Sequence, residues 1–236
     1  MKNKTVMITG ANRGMGYAMA KKFGEMGAKI LMVCRDHDRG EKSVNTLKSA
    51  GIDAVLCVAD MESPDSIEQM HREVSQQVDV IDVLINNAGV LLEGPEASIE
   101  TTELSVLERT MTINFIGPYW MCKCFVPMLK KSKSGRIINY SSGMGQLTVP
   151  RMGGVPAYSV SKTAVNGLTK MLADELKDTP VKVLAVDPGW VRTDMGTEDA
   201  TFSIEEGTDT AIWLATADPT EFTNGEQYKQ RQILGW

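Results

Sequence analysis

Tyr158 and Lys162 stand four residues apart in the stretch YSVSK, a spacing that puts both side chains on one face of a helix. A free phenol titrates near pH 10, at about 10, and is a poor proton shuttle at neutral pH. An ammonium beside it favours phenolate, each pKa unit of lowering being about 1.4 kcal/mol. The pair is therefore expected to bring Tyr158 towards the working range and to move a proton on and off a substrate oxygen. Taken alone it is also the pattern of an exposed helix pair that contributes a few tenths of a kcal/mol. A hydroxyl could hold the same oxygen, and YSSG offers Ser141 and Ser142, which strand alternation points to opposite faces. Upstream, TGANRGMG (Thr9–Gly16) sets three glycines at G-x3-G-x-G straight after the apolar Val6-Met7-Ile8. So little side chain means a tight turn or a large group close to the backbone.

These residues need elements to hold them. Short apolar runs predict strands near 4–9, 29–34, 54–58, 81–86, 136–141 and 181–187, with a weaker seventh near 225–233. Helical periodicity fills 14–26, 37–49, 64–77, 103–131, 157–177 and 205–216. Strands alternating with helices imply βαβ units and a parallel sheet covered on both faces. Runs such as VLIN and VLAV suit strands buried on both sides. The expectation is one α/β domain over 1–236, a doubly wound parallel sheet of about seven strands. The glycine turn then falls where the first strand hands over to the first helix. That helix N-terminus, with its unpaired N–H groups, suits a pyrophosphate, although the spacing is not G-x-G-x-x-G.

Composition narrows the field further. Thirty acidic against twenty-five basic residues give a net charge of −5, which offers no general attraction to nucleic acid. No apolar run approaches 18 residues and no leader-like h-region opens the chain, so no membrane partner and a cytoplasmic location are expected. Cys34 and Cys57 end strand-like runs and read as buried thiols. Cys122 and Cys124 form a C-x-C on a helix, where residues two apart do not face each other, and no metal site is expected. Lys130, Lys131 and Lys133, followed by Gly135, read as a helix C-terminus.

Four stretches in this order carry a resemblance: TGxxxGxG, NNAG (Asn86–Gly89), YSVSK (Tyr158–Lys162) and PGWVRT (Pro188–Thr193). Together they resemble the short-chain dehydrogenase/reductase family over essentially the whole chain. PGWVRTDM and the terminal QILGW look like its carbonyl reductase branch. The gap of sixteen residues from Ser142 to Tyr158 is a little longer than the family's usual spacing and far shorter than in monomeric carbonyl reductases.

The resemblance implies a Rossmann-type domain that binds NADP(H) and interconverts a ketone or aldehyde with its alcohol. Its catalytic set maps to Asn114, Ser142, Tyr158 and Lys162. Tyr158 would donate or accept the proton, Ser142 would hold the substrate oxygen, and Asn114 would hold a water linking Lys162 to solvent. Cofactor-binding positions map to Gly10, Asn12, Arg13, Gly14, Met15 and Gly16 around the pyrophosphate, and to Asp60 and Met61 at the adenine. Asn87, Ala88 and Gly89 would lie along the ribose, with Asn86 holding the sheet. Pro188, Gly189, Val191 and Thr193 would lie at the nicotinamide, beside Tyr158 and Lys162. Arg35 and Arg13 fall where NADP-dependent members hold the 2′-phosphate, a task suited to a forked guanidinium. Cys34 takes the place of the NAD-type acid, and Asp36 is then expected to cap the helix near His37. Met144, Leu147, Val149, Met152, Val155, Trp190 and Met195 would wall a mostly apolar pocket for a medium-sized carbonyl compound. The 103–131 helix, apolar on more than one face at Phe115, Tyr119, Trp120, Met121, Cys122 and Phe125, implies a homodimer or homotetramer. A non-catalytic NADP(H) sensor on the same fold, or an epimerase or dehydratase, are the alternatives.

Overall fold

The computed structural model describes residues 1–149 and 154–236. The apolar run before the glycine turn becomes β1 (Thr5–Thr9), flanked in space by β2 (Lys29–Cys34) and β4 (Val83–Asn86). β3 (Ala54–Val58) extends one side; β5 (Arg136–Tyr140), β6 (Lys182–Val186), β7 (Gln227–Lys229) and β8 (Gln232–Leu234) extend the other. The order among the described residues is β3-β2-β1-β4-β5-β6-β7-β8. All pairs are parallel except β7 with β8. The expected count of seven is corrected to eight. The weak 225–233 run is not one strand, because Gln230 and Arg231 adopt positive φ (48° and 61°) and fold it into a hairpin.

Alternation along each strand sends side chains to two separate cores. Val6, Ile8, Ile30, Met32 and Ile85 meet Met19 and Phe23 of α1 (Gly14–Glu25), Val44 and Leu47 of α2 (His37–Ser49) and Leu214 of α7 (Ile204–Thr216). Met7, Leu31, Leu84 and Ile137 meet Ile67 and Met70 of α3 (Pro64–Ser75), Phe125 of α5 (Gly117–Leu129) and Leu172 of α6 (Pro156–Glu175). β4 and β5 are buried along their whole length, as strands covered on both faces must be. The long apolar helix expected over 103–131 is three pieces: α4 (Leu104–Met111), a π-helical stretch Thr112–Ile116, and α5. Cys34, Cys57 and Cys122 are buried free thiols, and burial pushes Cys34 up to about 11 and Cys57 and Cys122 up to about 12.

Candidate active site

The glycine turn sits at the C-terminal end of β1, beside the point where strand order reverses between β1 and β4. An open α/β sheet binds ligands in such a crevice. Gly16 is pressed against the turn it follows: a Cβ there would lie 2.3 Å from the Gly10 carbonyl oxygen and 2.8 Å from Asn87 Nδ2. Gly14 has φ of +53°, and across the crevice Thr193 Cγ2 would lie 3.7 Å from its Cβ, so the missing side chain leaves the way open. α1 starts at Arg13 without a side-chain cap. Asp36, Ser63 and Ser203, by contrast, each cap the helix that follows them. The first N–H groups of α1 are thus left for an anion, as a diphosphate requires.

One continuous cleft gathers most of the expected cofactor residues: Gly10, Asn12, Arg13, Gly14, Met15, Gly16, Arg35, Asp60, Met61, Asn87, Ala88, Gly89 and Thr193. Pro188, Gly189 and Val191 are not among its lining residues; Val191 bridges to Phe202 and its carbonyl accepts the Thr193 hydroxyl at 3.3 Å. Thr9 accepts the N–H groups of Asn87 (3.0 Å) and Ala88 (2.9 Å), and Asn87 Nδ2 donates to the Thr9 carbonyl at 2.9 Å. These bonds lock the NNAG turn onto the glycine turn. Asn86 ties β4 to β5 through Asn139 Oδ1 at 2.8 Å. Asp60 lines the cleft while its Oδ1 accepts the Glu62 N–H at 3.0 Å.

At the outer end Arg13, Arg35 and Arg39 share a recess with Asp36. Asp36 faces its own helix, accepting the Arg39 N–H at 3.0 Å, as expected. Cys34 is buried and carries no charge there. Neither arginine stands alone. Arg13 forms an ion pair with Asp194 across the cleft. Arg35 Nη1 lies 3.5 Å from Glu62 Oε1, which also accepts from Arg109 at 2.9 Å.

At the inner end the structure brings Asn114, Ser142, Tyr158 and Lys162 together. Ser142 follows β5 and accepts the Met144 N–H at 3.1 Å, and its hydroxyl is near enough to the Tyr158 phenol to pull its pKa down. Ser141 is turned inward to Asn166 Oδ1 (2.5 Å) and the Lys162 carbonyl (3.3 Å). Strand alternation thus leaves Ser142 facing the phenol and makes Ser141 part of the core. Lys162, 5% exposed, donates to the Tyr140 carbonyl at 2.8 Å and lies 5.4 Å from the Tyr158 ring centroid. Asn114 lies in the π-helical stretch, where Oδ1 accepts from Val90 N at 2.8 Å and Nδ2 donates to the Val90 carbonyl (2.9 Å) and Ser161 Oγ (3.0 Å). Gly89 joins the two ends of the cleft: a Cβ on it would meet Asn114 Oδ1 at 3.3 Å and Lys162 Nζ at 3.6 Å.

The expected lowering of Tyr158 is corrected. Burial pushes the phenol up to about 12, against the Ser142 bond that lowers it, and burial brings Lys162 down to about 8. Desolvation disfavours both charged forms, and the Asp187 charge raises the phenol further. The phenol keeps its proton, and the lysine sits near neutrality.

Sequence reasoning missed the residues that brace this group. Asp187, 4% exposed, accepts the Gly189 N–H at 2.9 Å and lies 3.0 Å from Lys229 Nζ. Its charge acts on both Tyr158 and Lys162; a carboxylate ending the apolar run VLAV was the available signal. Gln227 donates to the Ser142 carbonyl at 3.2 Å and accepts from Asn166 at 3.2 Å. Among the expected pocket walls, Leu147, Val149, Trp190 and Met195 are exposed, Met144 and Val155 are half-buried, and Met152 lies outside the described residues.

The model of the short chain dehydrogenase family matches residues 4–202. The (+)-neomenthol dehydrogenase of Arabidopsis thaliana is 30% identical, over 96% of both chains. The NADPH carbonyl reductase 1 of Mus musculus is 27% identical, over 98% of this chain and 97% of its own. The crystal structure of NADPH-bound carbonyl reductase from chicken fatty liver superposes with a TM-score of 0.88 at 25% identity, over the whole of both chains.

Proposed function

Because the chain belongs to the short-chain dehydrogenase family, we propose that it interconverts a ketone or aldehyde and its alcohol with NADP(H), using Tyr158 as proton donor and acceptor. The observation that carries this reading is the buried Lys162 Nζ, 5.4 Å from the Tyr158 ring centroid and at the end of a glycine-floored cleft, where a Cβ on Gly89 would meet it at 3.6 Å. The cleft residues would hold a nicotinamide there, which would supply or take up hydride at the carbonyl carbon. The chain's own residues handle the oxygen. Ser142 and Tyr158 hydrogen-bond it, and Tyr158 gives up its proton as negative charge grows. Lys162, near neutrality, returns a proton to the phenol. Asn114 holds the Val90 backbone and so fixes the loop that runs past Gly89.

The choice of NADP(H) draws support from the NADPH-bound carbonyl reductase and from Arg13 and Arg35 in one recess. A 2′-phosphate there would take these guanidiniums over from Asp194 and Glu62, each charge-assisted bond contributing about 1.5–3 kcal/mol. Exposed Leu147, Trp190 and Met195 fit a medium-sized apolar carbonyl compound and a loose substrate preference. A cytoplasmic homodimer or homotetramer is proposed. Met121, Cys122 and Phe125 are used by the chain's own core, but Tyr119, Val160 and Met171 on α5 and α6 remain exposed.

The test is a panel of aldehydes, ketones and quinones, with loss of nicotinamide absorbance as readout. Tyr158→Phe should bind NADPH as the parent does and lose about 10² to 10⁴ in turnover. A variant as fast as the parent would rule out the proton role. NADPH bound tightly but oxidised by nothing would point to a sensor instead.

A further inference from the structure

The helix that carries Tyr158 does not cap itself. Val155 holds its N-cap position and offers no acceptor, and Pro156 opens the helix with no N–H. Two donors of the first turn, Ala157 N–H and Tyr158 N–H, point out of the helix with no intrahelical partner. Both are met by one side chain sixty-odd residues upstream. Glu93 Oε1 accepts from Ala157 N at 2.8 Å and Oε2 from Tyr158 N at 2.8 Å. The Thr102 hydroxyl, which donates to the Ser98 carbonyl at 2.8 Å, lies 3.3 Å from Oε1. The next donor, Ser159 N–H, is already met by the Val155 carbonyl at 2.9 Å. The cap of this helix therefore lies entirely in Glu93.

We propose that Glu93 is a positioning residue for Tyr158: its forked carboxylate closes the first turn of α6 and sets where the phenol stands relative to Ser142. Tyr158 lies in that first turn, where an uncapped helix frays. A carboxylate also suits the positive end of the helix. The residue belongs to the loop leaving β4, which lines the cofactor cleft with Asn87, Ala88, Gly89 and Val90 before reaching Glu93. One loop thus touches the cofactor's bed and the proton donor's helix, with Asn114 gripping it between them at Val90. This short covalent stretch therefore ties the cleft lining to the helix that carries Tyr158. Misplacing a reacting group by an ångström can cost about a hundredfold in rate.

This inference rests on the reading of Tyr158 as proton donor, and its test separates the two. In Glu93→Ala, kcat should fall by about ten- to a hundredfold while the NADPH Kd, read by fluorescence, stays within about twofold, since the cleft lining is untouched. Amide hydrogen exchange in the 156–160 peptide should accelerate. Adding Val155→Asp supplies an acceptor at the N-cap itself and should restore amide protection. If Glu93→Ala does not fold, Glu93→Gln, which keeps the shape and loses one acceptor, should show intermediate losses in both readouts. Parent-like kcat and protection in these variants would overturn the proposal. So would a lower kcat in Glu93→Ala with parent-like protection of the 156–160 amides. If the parent reduced no carbonyl compound, the catalytic reading would fall, and unaltered exchange in Glu93→Ala would still overturn the cap.

Discussion

Lys162 is buried as a charge-bearing group in a site that does not welcome charge, and its titration near 8 has two consequences. The unfolded chain holds this proton up to about 10.5. Below pH 8 both states are protonated, so the folded chain bears the full cost of a buried ammonium. Between 8 and 10.5 the folded state releases the proton first and the cost fades. Lys162→Met should therefore stabilise the protein at pH 7 by roughly 1–2 kcal/mol, a gain that shrinks by pH 10 when urea midpoints are compared. The same titration limits catalysis: carbonyl reduction should decline as pH rises through about 8, because Lys162 loses the proton it returns to Tyr158. A kcat profile flat from pH 7 to 10 would contradict that relay. Of this group, Tyr158 and Lys162 were legible from residue type and spacing, whereas Asn114 and the choice of Ser142 over Ser141 came from the family resemblance. Glu93 and Asp187 were not. The sequence places Glu93 in a polar loop far from the amides it serves, and the partner of Asp187, Lys229, lies on a strand forty-two residues later. Such pairings exist only once the chain is folded.

The elements were more legible than their joints. Strands β1 to β6 were each announced by an apolar run, and the start of α2 by the capping chemistry of Asp36. The π-helical stretch at Thr112–Ile116 was hidden, because TINFI reads as an ordinary amphipathic turn and only packing against the Val90 loop selects the wider winding. The β7–β8 hairpin was hidden too, since its turn relies on Gln230 and Arg231 at positive φ and not on glycine. The glycine turn lends itself to a paired test. Gly16→Ala would drive a Cβ into the Gly10 carbonyl, so it should destabilise the protein by about 2 kcal/mol or more and abolish NADPH binding. Gly14→Ala has room and suffers only its backbone angle, a cost of about 1–2 kcal/mol. Thermal melts and NADPH titrations of the two should differ in that order; equal effects would mean the turn is looser than these contacts imply.

Across the whole molecule, acidic residues outnumber basic ones by five, yet the ligand proposed for the cleft is a polyanion. The guanidiniums at the mouth do not offset this at a distance, since Arg13 is matched by Asp194 and Arg35 shares Glu62 with Arg109. An approaching NADPH meets cations that are largely matched at short range, with one carboxylate shared between Arg35 and Arg109, on a molecule of net negative charge. Recognition of the 2′-phosphate is thus an exchange of partners made on arrival, and nothing draws the ligand in beforehand. Affinity and speed should then respond to salt in opposite ways. Raising ionic strength from about 20 to 200 mM contracts the reach of surface charge to roughly a Debye length of 7 Å; it should weaken equilibrium binding while leaving the stopped-flow association rate constant unchanged or faster. An association rate that fell steeply with salt, as for an electrostatically steered encounter, would show that the mouth is an open cationic funnel after all. Without such a funnel, the cleft fills at the pace of unguided diffusion.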